Sequence, residues 1–383
     1  MPSQTREARR ATSNPVLLPR LVLVTLFFIS IFLPSLLQPS LTQLYSYLYH
    51  SSLYRFSAFE TLETIICYAI IEVLFTYKFA RNPHLRIDVR PSPSQKDKNA
   101  PSTTLDGNGN TVILAPKIPK MRRPSKRLGE IFIYAAPLLC MDLTMIKKFA
   151  GVPISDIRAS GNYHNPPARI YHPGNNQTSP TTTTTTASIH PSFLLPTLHN
   201  FTLTSPLQLT RALPPLSPQP TPTRLTLELL LSLLIYDTLF FTLHLALHRL
   251  PPLPHLHRTH HHHSEMHPQI TNRLSVTERL ALVLLANFSL NVIGAHVLTR
   301  SLFIPVFVYL LVEIHSGLDL AWGYEKVLPR GWGGGGARAH AWHHRTGQGG
   351  LAPFFGWCDA GLGVWDGWRA GRGEVRKGIK KEG

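Results

Sequence analysis

Histidine is the residue whose type and spacing could do chemistry in this 383-residue chain. The stretch Leu239–His267 alone holds nine of the twenty histidines. An apolar run closes on His244-Leu-Ala-Leu-His248, an HxxxH spacing. On a helix of about 3.6 residues per turn, i and i+4 share a face, so both imidazoles can address one site. His257-Arg-Thr-His260-His261 follows as HxxHH, and His340-Ala-Trp-His343-His344 repeats that spacing near the C-terminus. The spacing is expected to bring i, i+3 and i+4 together in the same way. Neutral imidazole ligates iron, zinc, copper and nickel. The three boxes supply eight imidazoles and His315 a ninth, enough for two first-row metal ions. So many buried ring nitrogens are bearable when a metal engages them. His255, His262, His263 and His267 are read as supporting or solvent-facing.

Two carboxylates stand at helical spacing from these histidines. Asp237 precedes His244 by seven residues, two helical turns. An ionisable group inside an apolar span is costly and marks function. It is expected either to accept the N–H of a metal-bound imidazole or to bond a neighbouring helix. Asp319 follows His315 by four residues and is either a carboxylate ligand or such an acceptor.

The elements that must position these groups are apolar helices. A span needs about 20 apolar residues to cross roughly 30 Å of hydrocarbon. Val16–Leu37, Thr61–Ala80 and Leu225–His248 qualify, and Leu280–Ile314 is long enough for a hairpin turning near His296–Arg300. Glu130–Phe149, with Asp142 inside it, either crosses or lies in the interface. The expected fold is therefore all-α, an integral membrane bundle of about four or more spans with a cytosolic histidine-rich cap. Pro251, Pro252 and Pro254 end the helix that carries His244 and His248.

The charge follows the same plan. The net charge is +17, with eleven Lys or Arg in residues 81–127 against Asp88, Asp97 and Asp106. No nucleic-acid motif accompanies the charge, so no nucleic-acid partner is expected. The positive-inside rule and anionic lipid account for it. Residues 150–224 are poor in basic groups, contain the Thr181–Thr186 tract and carry sequons at Asn176 and Asn200, as suits a lumenal loop. Cys67, Cys140 and Cys358 are scattered and offer neither a disulfide framework nor a thiolate site.

The order HxxxH, HxxHH, His315-Ser-Gly-Leu-Asp319 and HxxHH resembles the sterol desaturase and fatty acid hydroxylase superfamily of membrane di-iron oxidases. Tyr236-Asp237, Leu256-His257-Arg258 and Trp357-Cys-Asp359 with Gly361 fit it too. After the last box the family often has an Asn-Tyr-Gly-like stretch, where this chain reads Arg345-Thr-Gly-Gln-Gly-Gly-Leu351. The resemblance implies two irons, with zinc as a possible substitute, held by His244, His248, His257, His260, His261, His315, His340, His343 and His344. It implies dioxygen as oxidant, and electrons from NAD(P)H through a reductase and a cytochrome b-type haem carrier. The substrate would be a membrane lipid, a sterol or a long-chain acyl or sphingolipid, hydroxylated or desaturated. Lys380-Lys381 resembles a dilysine retrieval signal, implying the endoplasmic reticulum membrane. The expected domains are N-terminal spans (1–80), a basic loop (81–130), a third span with a polar loop (131–224), the catalytic domain (225–368) and a basic tail (369–383). A histidine-rich metal transporter or sensor, or an inactive family member, is the alternative.

Overall fold

Proline and charge decide where the apolar sequence becomes helix and where each helix stops. In the computed structural model, residues 15–87, 104–105, 111–112, 128–163, 194–251, 253–261, 266–329, 335–347 and 349–363 are described. The expectations for His262, His263, the Thr181–Thr186 tract, the Asn176 sequon, most of the basic loop and the Lys380-Lys381 tail lie outside these residues.

The fold is helical, as expected; the strands among the described residues are Thr104–Leu105 and Thr111–Val112, paired antiparallel. Helix α1 (Leu17–Phe32) stops before Pro34, and α2 (Pro34–His50) starts on it, with a 90° bend between them. Proline lacks the N–H that would continue the first helix but suits the opening turn of the second. A one-turn α3 (Ser52–Arg55) leads into α4 (Phe59–Arg81), and α5 (Leu128–Thr144) and the short α6 (Ile154–Ser160) follow. Helix α7 (Pro222–Arg249) is the longest, and α8 (Pro254–His261) comes directly after the proline-rich break. Helices α9 (Val276–Val292) and α10 (Val297–His315) form the expected hairpin, turning at 293–296, where Gly294 has φ +61°. Helices α11 (Tyr324–Val327) and α12 (Gly336–Thr346) follow, and residues 357–363 are helical too.

Among the described residues, fewer helices are long and apolar enough to span unaided than the sequence led us to expect. Helices α7 and α10 are long and apolar enough, and α1 with α2 make a third if the bent pair is one span. Helices α5 and α9 have 17 residues each, about 25 Å at about 1.5 Å per residue, short of the roughly 30 Å core. Helix α4 carries Glu63, Glu72 and Lys78 within the stretch expected to cross.

The chain divides into two compact units. The first comprises residues 1–70, 131–240 and 279–309; the second comprises 71–130, 241–278 and 310–383. An apolar cluster in the first unit joins Tyr45, Tyr54, Phe149, Leu213, Leu225 and Val297. A buried ionic knot binds the same unit: Glu60 takes Arg211 at 3.0 Å and Arg300 at 3.1 and 3.2 Å. Arg211 is 1 % exposed and lies over the rings of Tyr54, Phe59 and Phe149. The backbone around it is tied down as well, Arg211 N donating to Arg55 O and Ser57 N to Leu209 O. Glu228 of α7 accepts from His296 N and Thr299 Oγ1, so a carboxylate meets the N-terminal turn of α10, where it favours the helix dipole.

In the second unit the segment after α4 pairs with the segment after α10. Ile87 N donates to Gly317 O, and Asp319 N to Leu85 O. Gly317 has φ +66°, and a Cβ there would meet Met266 O at 2.2 Å. The glycine of the His-Ser-Gly motif is thus required by backbone conformation and by a close approach.

The knot makes a stability prediction. Glu60→Leu leaves Arg211 and Arg300 buried without their counter-charge, and should cost about 3–5 kcal/mol. Thermal unfolding of the detergent-solubilised chain measures it; an unchanged midpoint would show that the knot does not hold this unit.

Candidate metal centre

All nine histidines singled out by the sequence fall in the second unit. Helix α7 delivers His244 and His248 in its last two turns, just before Pro251 forces the chain out of helix. Pro254 opens α8, which carries His257, His260 and His261 in only eight residues. His315 is the last residue of α10. Helix α12 carries His340, His343 and His344 and ends at Gly347 with φ +67°, the left-handed residue that suits a helix C-terminus.

The histidines converge in two groups. His244, His248, His257, His261 and His343 form one, and His260, His315, His340 and His344 form the other; within each, one ring nitrogen per residue lies within 4.8 Å of all the rest. The expectation that i, i+3 and i+4 gather together holds for i+4 alone. His244 with His248, His257 with His261, and His340 with His344 share a group, whereas His260 and His343 cross into the opposite one. Residues four apart on a helix differ by only about 40° in direction, but neighbours differ by about 100°. Each His-His doublet therefore sends one imidazole to each group.

The nitrogens sit at coordination spacing. In the five-histidine group Nε2 of His244 is 2.9 Å from that of His257, 3.3 Å from His248 and 3.1 Å from His343. In the four-histidine group the Nε2 atoms of His315 and His340 are 2.9 Å apart, those of His340 and His344 3.1 Å, and those of His260 and His315 3.4 Å. Nitrogens about 2.1 Å from one cation lie about 3.0 Å apart in an octahedron and about 3.4 Å apart in a tetrahedron. The donor set thus fits two histidine-ligated metal ions.

Four of the opposite ring nitrogens are held by close acceptors. His257 Nδ1 donates to Glu278 Oε1 at 2.6 Å, and both side chains are buried. Main-chain carbonyls serve three others at 2.8 Å: Leu351 O for His244, Gly349 O for His343 and Leu311 O for His315. An Nδ1–H fixed on an acceptor leaves the Nε2 lone pair free to ligate. Burial is the main reason that His260, His340 and His344 are held well below the usual histidine range, with the neighbouring imidazoles adding to it. The same causes push His261 down to about 4 and His343 to about 3.

Neither expected carboxylate is a member of a histidine group. Asp319 gives its oxygens to Lys326 and Arg338, at 2.6 and 2.5 Å, and belongs to neither group. Asp237 is fully buried in the first unit. Sequence spacing missed Glu278, which stands 21 residues from its histidine; its one sequence signal is an acid in the first turn of an apolar helix. Of the remaining histidines, His267 is buried and His255 exposed.

A fatty acid hydroxylase family model matches residues 229–364, the stretch that contains every histidine of both groups. That match supports the resemblance to the sterol desaturase and fatty acid hydroxylase superfamily over the histidine-bearing part of the chain. Among the proteins it is similar to, cholesterol 25-hydroxylase of Rattus norvegicus is 34 % identical over 176 residues, 46 % of this chain and 57 % of the relative. The Mus musculus cholesterol 25-hydroxylase is 35 % identical over 154 residues, 39 % of this chain and 51 % of the relative. Methylsterol monooxygenase erg25A of Aspergillus fumigatus is 30 % identical over 148 residues, covering 37 % and 47 %. The chain spans about half the length of the curated relatives it matches. No solved structure matches it significantly.

The depressed imidazoles predict a pH dependence for the metal-free chain. Between the unfolded value near 6.5 and folded values of about 4 for His261 and about 3 for His343, the unfolded state binds more protons. Stability should therefore be complete above pH 6.5 and fall as pH drops towards 4. Thermal midpoints of chelator-treated protein from pH 8 to 5 check the sign; a midpoint that rose on acidification would contradict it.

Proposed function

We propose that the chain is a membrane oxidoreductase that uses dioxygen and two histidine-bound irons to oxidise a C–H bond of a lipid. The observation that carries this reading is the division of nine buried histidines into two groups at coordination spacing. The superfamily match and relatives named as sterol hydroxylases and methylsterol monooxygenases support the lipid, and among lipids favour a sterol. The ligands would be His244, His248, His257, His261 and His343 for one iron, and His260, His315, His340 and His344 for the other. Bound iron would supply the redox chemistry, coupling dioxygen reduction to oxidation of an unactivated carbon.

The protein's own residues do the rest. Glu278 holds the Nδ1 proton of His257, and the carbonyls of Leu351, Gly349 and Leu311 hold those of His244, His343 and His315. Each imidazole is then fixed in the tautomer that points Nε2 inward. Leu351, Ala352, Phe354 and Phe355 are buried in the same unit and keep water from its interior. Helices α7 and α10, the two spans that end in ligands, would let a hydrophobic substrate approach from the bilayer. A transporter would hold its ligands near mid-span between broken helices. Here His248 and His315 stand at helix ends, which favours the oxidase.

Electrons must come from outside the chain, from NAD(P)H through a reductase and a cytochrome b-type carrier. Among the described residues of the second unit, Arg81, Arg249, Arg258, Arg338 and Arg345 are exposed and no carboxylate is. That surface suits an acidic carrier. We assign the chain to the endoplasmic reticulum membrane with the histidines cytosolic, an orientation that leaves the exposed Asn200 sequon lumenal.

Anaerobic iron analysis of detergent-purified protein tests the proposal. Wild type should hold about two irons per chain, and His260→Ala should lose at least one together with lipid oxidation. Glu278→Gln should weaken iron binding about 10–100-fold. Membranes holding the wild type should yield a sterol or acyl lipid that has gained one oxygen or lost two hydrogens. Zinc retained without iron after iron loading would sink the oxidase reading.

A further inference from the structure

The glycine-rich segment after α12 does more than end the helix. Gly349 O and Leu351 O accept from His343 and His244, two ligands of the same five-histidine group contributed by different helices. Gly349 and Gly350 both have φ +58°, and a Cβ on Gly350 would meet Ala339 O at 2.8 Å. This backbone conformation is strained for any other residue, so something must hold the segment in place. Asp359 does so: Oδ1 accepts from Leu351 N at 2.9 Å and Oδ2 from Ala352 N at 2.8 Å. The two oxygens of one carboxylate thus fix the peptides on either side of Leu351, whose carbonyl fixes His244. Charge-assisted bonds of this kind are roughly twice as strong as neutral ones.

We infer that Asp359 is a positioning residue for the five-histidine group, acting on His244 and His343 through the Gly349–Ala352 segment. This rests on the metal reading above. Asp359 belongs to neither histidine group, and it lies fifteen residues beyond the last box. Removing its charge loosens two of five ligands in one group and leaves the other group's contacts intact. The effect should therefore be confined to one iron.

The test is an anaerobic Fe2+ titration of full-length protein in detergent, with Mössbauer spectra resolving the two sites. Asp359→Asn keeps the shape but turns an NH2 group towards a backbone N–H. It should weaken one iron equivalent at least about tenfold and leave the second unchanged, while Asp359→Glu, which keeps two acceptors, recovers part of the loss. Gly350→Ala strains the same segment without touching the carboxylate, and should weaken the same equivalent. If Asp359→Asn does not accumulate, Gly350→Ala decides alone. Equal weakening of both irons would mean that Asp359 only holds the fold, and no weakening in either variant overturns the assignment. A wild-type chain that takes up no Fe2+ would bring down the metal reading itself, an outcome visible before any variant is made.

Discussion

Desolvated imidazoles with their lone pairs facing one another are the constraint on which the second unit depends. Nine rings are packed so that Nε2 atoms stand 2.9–3.4 Å apart. Burial and the neighbouring imidazoles hold His260, His340 and His344 well below the usual histidine range, and lone pairs facing one another at that distance repel unless a cation lies between them. The surrounding structure can be read as the means of holding that arrangement. Prolines stop α7 and open α8 so that two histidine pairs meet across one short break. Backbone carbonyls and Glu278 hold the Nδ1 atoms of His244, His257, His315 and His343, so that these four rings cannot turn away.

Much of this was legible in the sequence, for a simple reason. Helical spacing converts letters into directions, and the apolar runs announce the helices. The HxxxH and HxxHH boxes, His315 and the hairpin of α9 and α10 could all be read that way. The division into groups could not. His260 and His261 are neighbours in the chain but serve different groups, because the partner each finds depends on where α10 and α12 end. Glu278 was hidden for the same reason, since nothing local joins it to His257. Length and apolarity alone do not pick out every expected span among the described residues: α4 contains charge, and α5 and α9 are a few residues short.

The first unit shows another use of buried charge. Glu60, Arg211 and Arg300 come from three distant parts of the chain and meet beneath a cage of aromatic rings. Such a knot is a poor source of net stability but is costly to break. Its value lies in register: a carboxylate with two guanidinium partners admits few alternative packings of the loop that precedes α7.

The acceptors supplied by residues 349–351 have a consequence for how this protein can change over time. A carbonyl oxygen belongs to every amino acid, so the support of His244 and His343 is carried by the path of the chain and not by its letters. The stretch Arg345–Leu351 departs from the text usual in its superfamily, yet its main chain still reaches both rings. Side chains along such a path can drift while the glycines keep its shape. Two sequences could then look unrelated here and still cradle the same imidazoles, and alignment would be the last method to notice.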